Sequence, residues 1–481
     1  MKLDIPQNIL DIYEKINEKR FQIYFVGGSV RNILLEKPVK DWDMTTSATP
    51  EEILKLFPDG FYDNQFGTVG LPINVIASKA KQSRSEIATS PVAPRNDEEN
   101  SQVVEVTTFR TEREYKDSRH PTEVAWGKSI EEDLERRDFT INAIAMQLQI
   151  TSNKIQDTKL FDPFDGQKDL KNHVIRAVGD AAKRFKEDAL RLMRAVRFAT
   201  QLSFTIENET WKAMQQDSPL LENISKERVR DELFKILASD FPYEGIMMLK
   251  NANLLEHILP ELLEGMGVSQ ERPGRHHVYD VFEHNVLSLK YCPSPDPLVR
   301  FATLIHDVGK PKVESKDENG LVIFYNHEVK GAQMAYEICE RLHFSKKERE
   351  KVVKLIRWHM FSVDEHITDA AVRRFIRRIG IDAVKDLLDV RVGDRLGSGI
   401  PEEKAESWRL RKFRERIEEQ LRPAPFSITD LAINGNDIMK ELTIKPGPQI
   451  GKLLQQLFEE VDENLELNNR EHLLKRVKEL V

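Results

Sequence analysis

The sequence predicts an α+β multidomain protein in which a small α/β head precedes a long, all-helical body. Residues 1–150 alternate short apolar segments with amphipathic ones. From Leu134 onward, apolar residues recur three and four positions apart, as they do in helices. At 481 residues the chain is too long for a single hydrophobic core, so we expect several domains.

Four domains are expected along the chain. A head covers residues 1–148 and contains a polar insertion at about 76–100. A helical neck and body follows over 149–265, then a histidine-rich helical domain over 266–400 and a helical tail over 401–481.

The composition narrows the class of protein. Hydrophobic residues make up 40% and charged residues 32%, and no apolar run is long enough to span a membrane. The N-terminus reads as an amphipathic helix and not as a signal peptide. Since Cys292 and Cys339 are the only cysteines, we expect no disulfide framework and a cytoplasmic location. The net charge of −8 argues against a generally cationic protein but allows a local basic groove.

The head reads in order as strand, helix, strand, helix and an antiparallel pair. "RFQIYFVGG" is a strand ending in glycines, "SVRNILLEK" a helix, "KDWDMTTSA" a strand, and "TPEEILKLFP" a helix capped by Thr49. "FGTVGLPINV" and "SQVVEVTTFR" form the pair. The insertion between them is polar, so a passive surface segment is favoured over a nucleic-acid contact through its basic residues. Those basic residues are Lys79, Lys81, Arg84 and Arg95.

Asp41 and Asp43 are separated by one residue, which on a strand puts both carboxylates on one face. They repel each other unless a divalent cation lies between them, and paired Mg²⁺ ions serve nucleotidyl transfer. Glu105, which alternates with Val104 and Val106, is the candidate third carboxylate. A surface pair remains the alternative, but the preceding "VGGSVRN" favours a site, because its N–H groups could face a phosphate.

Two further stretches combine arginines with carboxylates. "RRDFTINA" offers guanidinium forks for a triphosphate and Asn142 for a ribose hydroxyl, with a charged helix face as the alternative. In "EDALRLMRAVRF", Asp188 and Arg191 lie three apart and should share a helix face. Such a pair could accept from the amine and donate to the ring nitrogen of cytosine or adenine, or it could be an intrahelical salt bridge.

The order of these motifs resembles the class II tRNA nucleotidyltransferase and poly(A) polymerase family, within the polymerase β-like nucleotidyltransferases. "FVGGSVRNILLEKPVKDWDMTT", "EEDLERRDFTINAIAM", "LFDPFDGQKDL" and "KEDALRLMRAVRFA" match its successive motifs over about residues 20–265, with Asn32 where Asp is more usual. The resemblance implies catalysis by Asp41, Asp43 and Glu105 with Mg²⁺. The predicted nucleotide-binding residues are Gly28, Arg31, Arg136, Arg137, Asp138, Asn142, Asp188, Arg191, Arg194 and Arg197.

A polar segment after the last head strand resembles the flexible loop of CCA-adding enzymes. It contains Asp117, Arg119 and His120. Poly(A) polymerases of the family usually have a different loop, so CCA addition to tRNA from CTP and ATP is the favoured function. Poly(A) addition, CC- or A-only addition and a non-catalytic RNA-binding protein remain alternatives.

Histidines and aspartates spread over several predicted helices resemble the ligand set of an HD phosphohydrolase. His284, His306, Asp307 and Asp394 match the ligands, and His327 and His359 match additional histidines of such domains. The resemblance implies a divalent metal and hydrolysis of phosphomonoesters or cyclic phosphodiesters, which could even be the main activity. Single histidines on helices are usually structural, but an adjacent His-Asp pair with four spaced partners favours metal.

The tail is similar to the C-terminal segment of family members that carry an HD domain. In "KPGPQIGKLL" a glycine turn and helix start could contact a phosphate, although a helix-capping turn is favoured. The expected partners are tRNA, CTP and ATP, with no membrane, and the sequence makes no prediction of the oligomeric state.

Overall fold

The computed structural model describes residues 3–63, 67–73, 102–115, 121–127, 129–151, 154–270, 279–361, 367–401, 407–421 and 427–481. They form two compact units, Met1–Ile258 and Leu259–Val481, which are described separately below. No helix within these ranges is long and apolar enough to cross a membrane. Cys292 and Cys339 are both buried and unpaired, as expected.

The first unit opens with the predicted alternation of helices and strands. Its head contains α1 (Gln7–Glu18), β1 (Ile23–Val26), α2 (Gly27–Leu34), β2 (Asp43–Thr46), α3 (Pro50–Leu56), β3 (Phe61–Asp63), β4 (Thr68–Ile73), β5 (Gln102–Thr108), β6 (Arg110–Tyr115), β7 (Pro121–Trp126), α4 (Ile130–Glu135), β8 (Ala145–Thr151) and β9 (Lys154–Phe161). The main sheet has the order β3-β4-β5-β2-β1-β8-β9. β2 runs parallel to β5 and antiparallel to β1, so the sheet is mixed.

Local signals explain several of these elements. Thr49 forms a capping box with Glu52 at the start of α3, which confirms the predicted cap. Tyr13 of α1 packs flat on Phe25 of β1 at 5.4 Å between ring centroids. The Tyr13 hydroxyl donates to the Ile23 carbonyl, so α1 is fixed beneath the strand that leads into the glycine pair.

The second head strand is shorter than predicted. β2 begins at Asp43, and Asp41 lies in an exposed bend before it. The ladder with β1 reaches only to the Phe25–Met44 pair, and the ladder with β5 only to Asp43–Glu105. Backbone pairing therefore begins at Asp43.

The β4–β5 pair is antiparallel, as predicted, and Ile73 pairs with Gln102. The polar insertion thus joins two paired strand ends, and its own residues lie outside the described ranges.

The expectation of helices from Leu134 onward is wrong for the β8–β9 hairpin. Met146 and Leu148 are buried and alternate with the more exposed Gln147 and Gln149. This is the two-residue period of a strand, which extends the head sheet to Phe161.

Short helices complete the first unit. They are α5 (Gly166–Asn172), α6 (Ala181–Glu187), α7 (Leu190–Leu202), α8 (Asn208–Asp217), α9 (Lys226–Leu237), α10 (Pro242–Asn251) and α11 (Leu255–Ile258), with a parallel pair of two-residue strands, β10 (Val174–Ile175) and β11 (Thr205–Ile206). The buried face of α7 packs against α9 and α10.

The second unit is helical, as predicted, except for one two-residue ladder. It contains α12 (Pro260–Leu263), α13 (Val281–Lys290), α14 (Pro297–Leu304), α15 (Lys310–Val313), β12 (Ser315–Lys316), β13 (Val322–Ile323), α16 (His327–Arg341), α17 (Lys346–Trp358), α18 (Asp369–Ile379), α19 (Ile381–Gly397), α20 (Trp408–Leu421), α21 (Gly435–Leu442), α22 (Pro448–Glu463) and α23 (Arg470–Glu479). Gly447 caps α22 and Pro448 is its first residue, which agrees with the capping turn favoured for "KPGPQIGKLL".

Two contacts organise this second unit. A Cβ on Gly397 of α19 would lie 2.2 Å from the Ser288 Oγ of α13, so glycine is needed for the close packing of these helices. The tail is fastened by Asp462 of α22, which accepts from Arg373 Nε at 2.8 Å and Arg377 Nη2 at 2.5 Å on α18.

Candidate active sites

Three carboxylates converge at the start of β2. Asp43 pairs directly with Glu105 on the adjacent strand, which confirms the predicted neighbouring strand. Val104 and Val106 are buried whereas Glu105 is exposed. Burial raises the pKa of Asp43 to about 6, and the charges of Glu105 and Asp41 act in the same direction against the opposing Arg137.

The glycine pair lets the backbone approach these carboxylates. Gly27 has φ +65°, and a Cβ there would lie 3.1 Å from Arg137 Nη1 and 3.3 Å from Asp43 Oδ2. The Gly28 N–H donates to Asp43. This glycine N–H therefore faces the Asp43 carboxylate.

A cleft of about 420 Å³ lies beside the carboxylates and carries arginines on its wall. Its charged lining consists of Asp43, Glu105, Arg110, Arg136 and Arg137. Arg110 was not predicted, although it directly follows the Glu105 strand in "VVEVTTFR". Opposite charges that meet in one cleft suit a nucleoside triphosphate with its cations.

A buried carboxylate that the sequence reasoning missed holds two of these arginines. Asp133 accepts from Arg136 Nη2 through Oδ1 and from Arg137 Nη2 through Oδ2, both at 2.9 Å. Burial opposes ionisation, but the two guanidinium groups hold the pKa of Asp133 below its usual value. The i+3 and i+4 spacing from Asp133 to the arginine pair was the available signal.

Asp138 and Asn142 form the centre of a buried polar chain. Asp138 accepts from Arg194 Nη2 at 2.6 Å and from Asn142 Nδ2 at 3.1 Å. Arg31 Nη1 donates to Asn142 Oδ1 at 2.8 Å, and its Nε donates to Asn32 at 3.2 Å. Burial opposes ionisation of Asp138, but Arg194 holds its pKa well below its usual range. These residues thus orient one another across the head and α7.

The predicted Asp188–Arg191 arrangement on one helix face is wrong. α6 ends at Glu187, and Asp188 is extended, with its Oδ1 accepting from the Leu190 N–H at the start of α7. Its Oδ2 accepts from Arg228 Nη2 at 2.8 Å. A carboxylate able to cap the following helix favours a break there over a continuous helix.

Arg191 is buried and points to other partners. Its Nη1 donates to Glu187 Oε2 at 2.7 Å, and its Nη2 donates to the Arg136 carbonyl at 2.8 Å. The intrahelical salt bridge weighed for the Asp188–Arg191 pair is therefore absent from these contacts. Neither Glu187 nor Arg228 was predicted.

Arg197 continues the basic face of α7, as predicted, but it is paired. Its Nε lies 2.7 Å from Glu232 Oε2, and its guanidinium lies 4.2 Å from the centroid of the Phe198 ring. The flexible-loop residues Asp117, Arg119 and His120 lie outside the described ranges, between β6 and β7.

The second unit brings all six predicted histidines and aspartates into one buried cluster. His284 and His306 place Nε2 3.2 and 3.3 Å from Asp307 Oδ2. His327 and His359 place Nε2 3.2 and 3.6 Å from Asp307 Oδ1. Asp394 Oδ1 completes the cluster, 3.4 Å from His284 Nε2.

Backbone carbonyls orient three of the imidazoles. The Nδ1–H groups of His306, His327 and His359 donate to the carbonyls of Thr303, Phe324 and Ile356 at 2.7–2.8 Å. Because the backbone oxygen can only accept, each Nε2 lone pair is directed inward. His327 Nε2 and Asp307 Oδ1 are buried and make no hydrogen bond. Inward nitrogens and carboxylate oxygens fit one or two divalent transition-metal ions.

A cavity of about 820 Å³ opens onto this cluster. Lys310, which the sequence reasoning missed, contacts Asp307 and donates to Gln270 Oε1 at 2.5 Å. Burial opposes ionisation of Asp307, but Lys310 and His306 hold its pKa well below its usual range. Burial and the neighbouring Arg391 lower the pKa of Arg395 on the same cavity wall. Outside its metal-ligating base, the cavity wall carries Lys310, Arg391 and Arg395 and one carboxylate, Glu328, so its charge there is net positive.

Comparison with known proteins identifies the family of this chain. The models of three families match: the poly A polymerase head domain over residues 23–176, the probable RNA- and SrmB-binding site of polymerase A over 203–266, and tRNA nucleotidyltransferase domain 2 (putative) over 312–477.

Relatives match over most of the chain. The chain is 31% identical to the CCA-adding enzyme of Lactococcus lactis over 100% of its own length and 99% of that protein. It is 37% identical to the A-adding tRNA nucleotidyltransferase of Deinococcus radiodurans over 69% of its length and 75% of that protein. The crystal structure of the Bacillus stearothermophilus CCA-adding enzyme with CTP superposes with a TM-score of 0.68 at 25% identity, covering 98% of this chain and 97% of that one. The chain therefore belongs to the tRNA nucleotidyltransferase family that includes the CCA-adding enzymes.

Proposed function

We propose that this chain adds CCA to the 3′ end of tRNA in the cytoplasm, using CTP and ATP. The observation that carries the proposal is the meeting of Asp41, Asp43 and Glu105 beside an arginine-walled cleft. Family membership supplies tRNA as the acceptor, since the relatives are tRNA nucleotidyltransferases.

The oxygen donors of these carboxylates suit Mg²⁺. When bound, the metal would activate the RNA 3′-hydroxyl and neutralise charge that develops on the α-phosphate. Asp41 and Asp43 are the proposed ligands, and Glu105 supports them. Arg136 and Arg137, fixed by Asp133, would hold the triphosphate and stabilise the departing pyrophosphate.

Asp188 and Arg191 are the proposed template for C and A. The two side chains do not contact each other as a pair on one helix face would. Arg228 contacts Asp188 and Glu187 contacts Arg191, so each is positioned separately. Asp188, held by Arg228, would accept from the exocyclic amine. Arg191, held by Glu187, would donate to the ring nitrogen. Uracil and guanine present the opposite groups and would leave these side chains unpaired.

The test is incubation with tRNA ending before CCA, with each nucleotide alone and then CTP and ATP together, followed by sequencing of product ends. CTP alone should give CC, and both nucleotides should give CCA. Addition of A only to tRNA that already ends in CC would assign the narrower activity named for the D. radiodurans relative. Unlimited addition of A would assign poly(A) polymerase activity.

We also propose that the histidine–aspartate cluster is a metal-dependent phosphohydrolase site. The carrying observation is the convergence of four inward-facing histidines and two aspartates at the base of a cationic cavity. A bound divalent ion would supply a hydroxide at neutral pH. Lys310 would neutralise the substrate phosphate. Release of phosphate from phosphomonoesters, or opening of 2′,3′-cyclic phosphates, after loading with Mn²⁺, Co²⁺, Ni²⁺ or Mg²⁺ tests the proposal, and no turnover with any of these ions would refute it.

A further inference from the structure

A second groove, of about 550 Å³, shares two residues with the histidine–aspartate cavity. The shared residues are Arg391 and Arg395. They lie four positions apart on α19 and therefore on one face of that helix. The rest of the groove is formed mainly by Phe361, Ser407, Trp408 and Arg409.

The shared arginines connect the groove to the metal-ligating base. Arg391 Nη1 donates to Asp394 Oδ2 at 2.6 Å, while Asp394 Oδ1 faces the histidines. Arg395 lies one helical turn further along. Among the described residues that line the groove none is acidic, so the cationic wall of the cavity continues into it.

The groove contains one exposed aromatic side chain, Trp408, and one partly buried aromatic side chain, Phe361. Trp408 is the first residue of α20 and is 51% exposed. Phe361 is held in place by Phe375 and Phe413, at 5.2 and 5.8 Å between ring centroids. Large aromatic residues are usually covered, and an exposed tryptophan among arginines is the pattern that binds single-stranded nucleic acid by base stacking and phosphate contacts.

We propose that this groove binds the nucleotides that precede a 3′-terminal phosphate, so that the hydrolase site acts on the end of an RNA strand and not on free mononucleotides. The inference rests on the phosphohydrolase function proposed above. In the reaction, water adds to phosphorus and one bond between phosphorus and a ribose oxygen breaks. The departing ribose oxygen takes a proton from the water, so no further reactant is needed. Trp408 stacks on a base, and Arg409 contacts the strand backbone.

The contacts favour a strand over a mononucleotide for a geometric reason. A mononucleotide is accommodated within the 820 Å³ cavity alone and would leave Trp408 and Arg409 without a ligand. A strand entering through the groove contacts these residues and reaches Asp394 along the Arg391–Arg395 face.

The test compares two substrates in the metal-loaded full-length protein. One is a pentanucleotide RNA ending in a 2′,3′-cyclic phosphate, which the nucleotidyltransferase site cannot extend, and the other is cytidine 2′,3′-cyclic phosphate. Trp408→Ala should raise the KM for the pentanucleotide by roughly tenfold, since base stacking contributes about 1–3 kcal/mol, and leave the mononucleotide unaffected. Trp408→Phe should restore most of the loss.

Arg409→Ala should also weaken binding of the pentanucleotide and reduce the salt dependence of that binding. Arg411→Ala is the matched control, because Arg411 is an exposed arginine on the same helix that does not line the groove. A second measurement, fluorescence anisotropy of a labelled pentanucleotide ending in 3′-phosphate, reports binding even without turnover. Tight binding that Trp408→Ala weakens, with no hydrolysis, would refute the hydrolase and keep the groove assignment. Equal values for Trp408→Ala, Arg409→Ala and Arg411→Ala in both measurements would overturn the groove assignment.

Discussion

The head and the second unit each gather carboxylates at one point, but they handle the charge differently. In the head, Asp41 and Glu105 are exposed and Asp43 has a pKa raised to about 6. In the second unit, Asp307 is buried among Lys310 and histidines, which lower its pKa. Carboxylates that are largely exposed depend on cations that arrive with the nucleotide, whereas a buried cluster of carboxylates and histidines can retain a metal between turnovers. The difference shows that burial and neighbouring charges, and not residue type alone, decide whether a carboxylate site retains its metal between turnovers.

The largest expected effect is on nucleotidyl transfer. Asp43→Ala should reduce CCA addition by about a thousandfold or more, because metal stabilisation of the transition state contributes several kcal/mol. Binding of tRNA should remain near normal, since basic residues provide its affinity. Single-turnover rates and filter binding measure the two effects. Substantial transfer by this variant with Mg²⁺ present would break the assignment.

The reverse separation is expected in the second unit. His306→Ala should abolish phosphohydrolysis and release the retained metal, because it removes one inward-facing ligand of the cluster. CCA addition should persist. Metal analysis after dialysis against a chelator sharpens the comparison: wild type should keep metal in this cluster and lose it from the head. Equal retention by wild type and variant would contradict the cluster as the metal site.

A smaller effect is expected on base choice. Asp188→Ala removes the proposed acceptor for the amines of C and A. Discrimination against UTP and GTP should fall by about ten- to hundredfold, since a charged hydrogen bond contributes roughly 1.5–3 kcal/mol. Asp188→Asn is the control for the capping role, because its amide oxygen can still accept from the Leu190 N–H. A common slowing with all four nucleotides in Asp188→Ala would identify Asp188 as a purely structural cap.

The raised pKa of Asp43 predicts a pH effect on the metal-free protein. A carboxyl whose pKa is raised from 3.8 to about 6 on folding stabilises the protein at acid pH, and this contribution is lost as the pH rises through 6. Asp43→Asn stays neutral, so the variant should exceed wild type in unfolding free energy at pH 8 by roughly 1–3 kcal/mol. The gain should fall to about half at pH 5 and be nearly absent at about pH 3, below the pKa of the unfolded chain. Denaturant unfolding in the presence of a chelator measures this difference in unfolding free energy. Glu105→Gln, at an exposed position, should raise the unfolding free energy by less than Asp43→Asn does. A gain independent of pH would contradict the assignment.

The smallest effect is expected from the insertion. Deleting Lys79–Asn100 should leave the rate of CCA addition within about twofold of wild type. The free energy of unfolding should be unchanged or slightly higher, because the flanking strands are already paired at Ile73–Gln102 and a shorter loop has a lower entropic cost of closure. The tRNA affinity and the melting temperature of the deletion variant, compared with wild type, test this prediction. A large loss of tRNA affinity would show that the insertion contributes to binding.

Local sequence patterns predicted many of the strands and carried the family motifs of this protein. Alternation predicted β4 and β5, and the same pattern in Met146 and Leu148 was the overlooked signal for the β8–β9 hairpin. Resemblance to known families, carried by the order of their motifs, implied roles for the carboxylates, the arginine pair and the six metal-ligating candidates. The motifs could be recognised because each consists of particular residue types at fixed local spacing.

Tertiary structure decided which polar groups are partners. Sequence spacing put Asp188 with Arg191, but Arg228, 40 positions away, reaches Asp188, and Glu187 holds Arg191. The same applies to the Lys310–Gln270 contact and to the Arg391–Arg395 face shared by two cavities. The free energy of a hydrogen bond or ion pair depends on distance and burial, which packing between elements fixes and residue order alone does not.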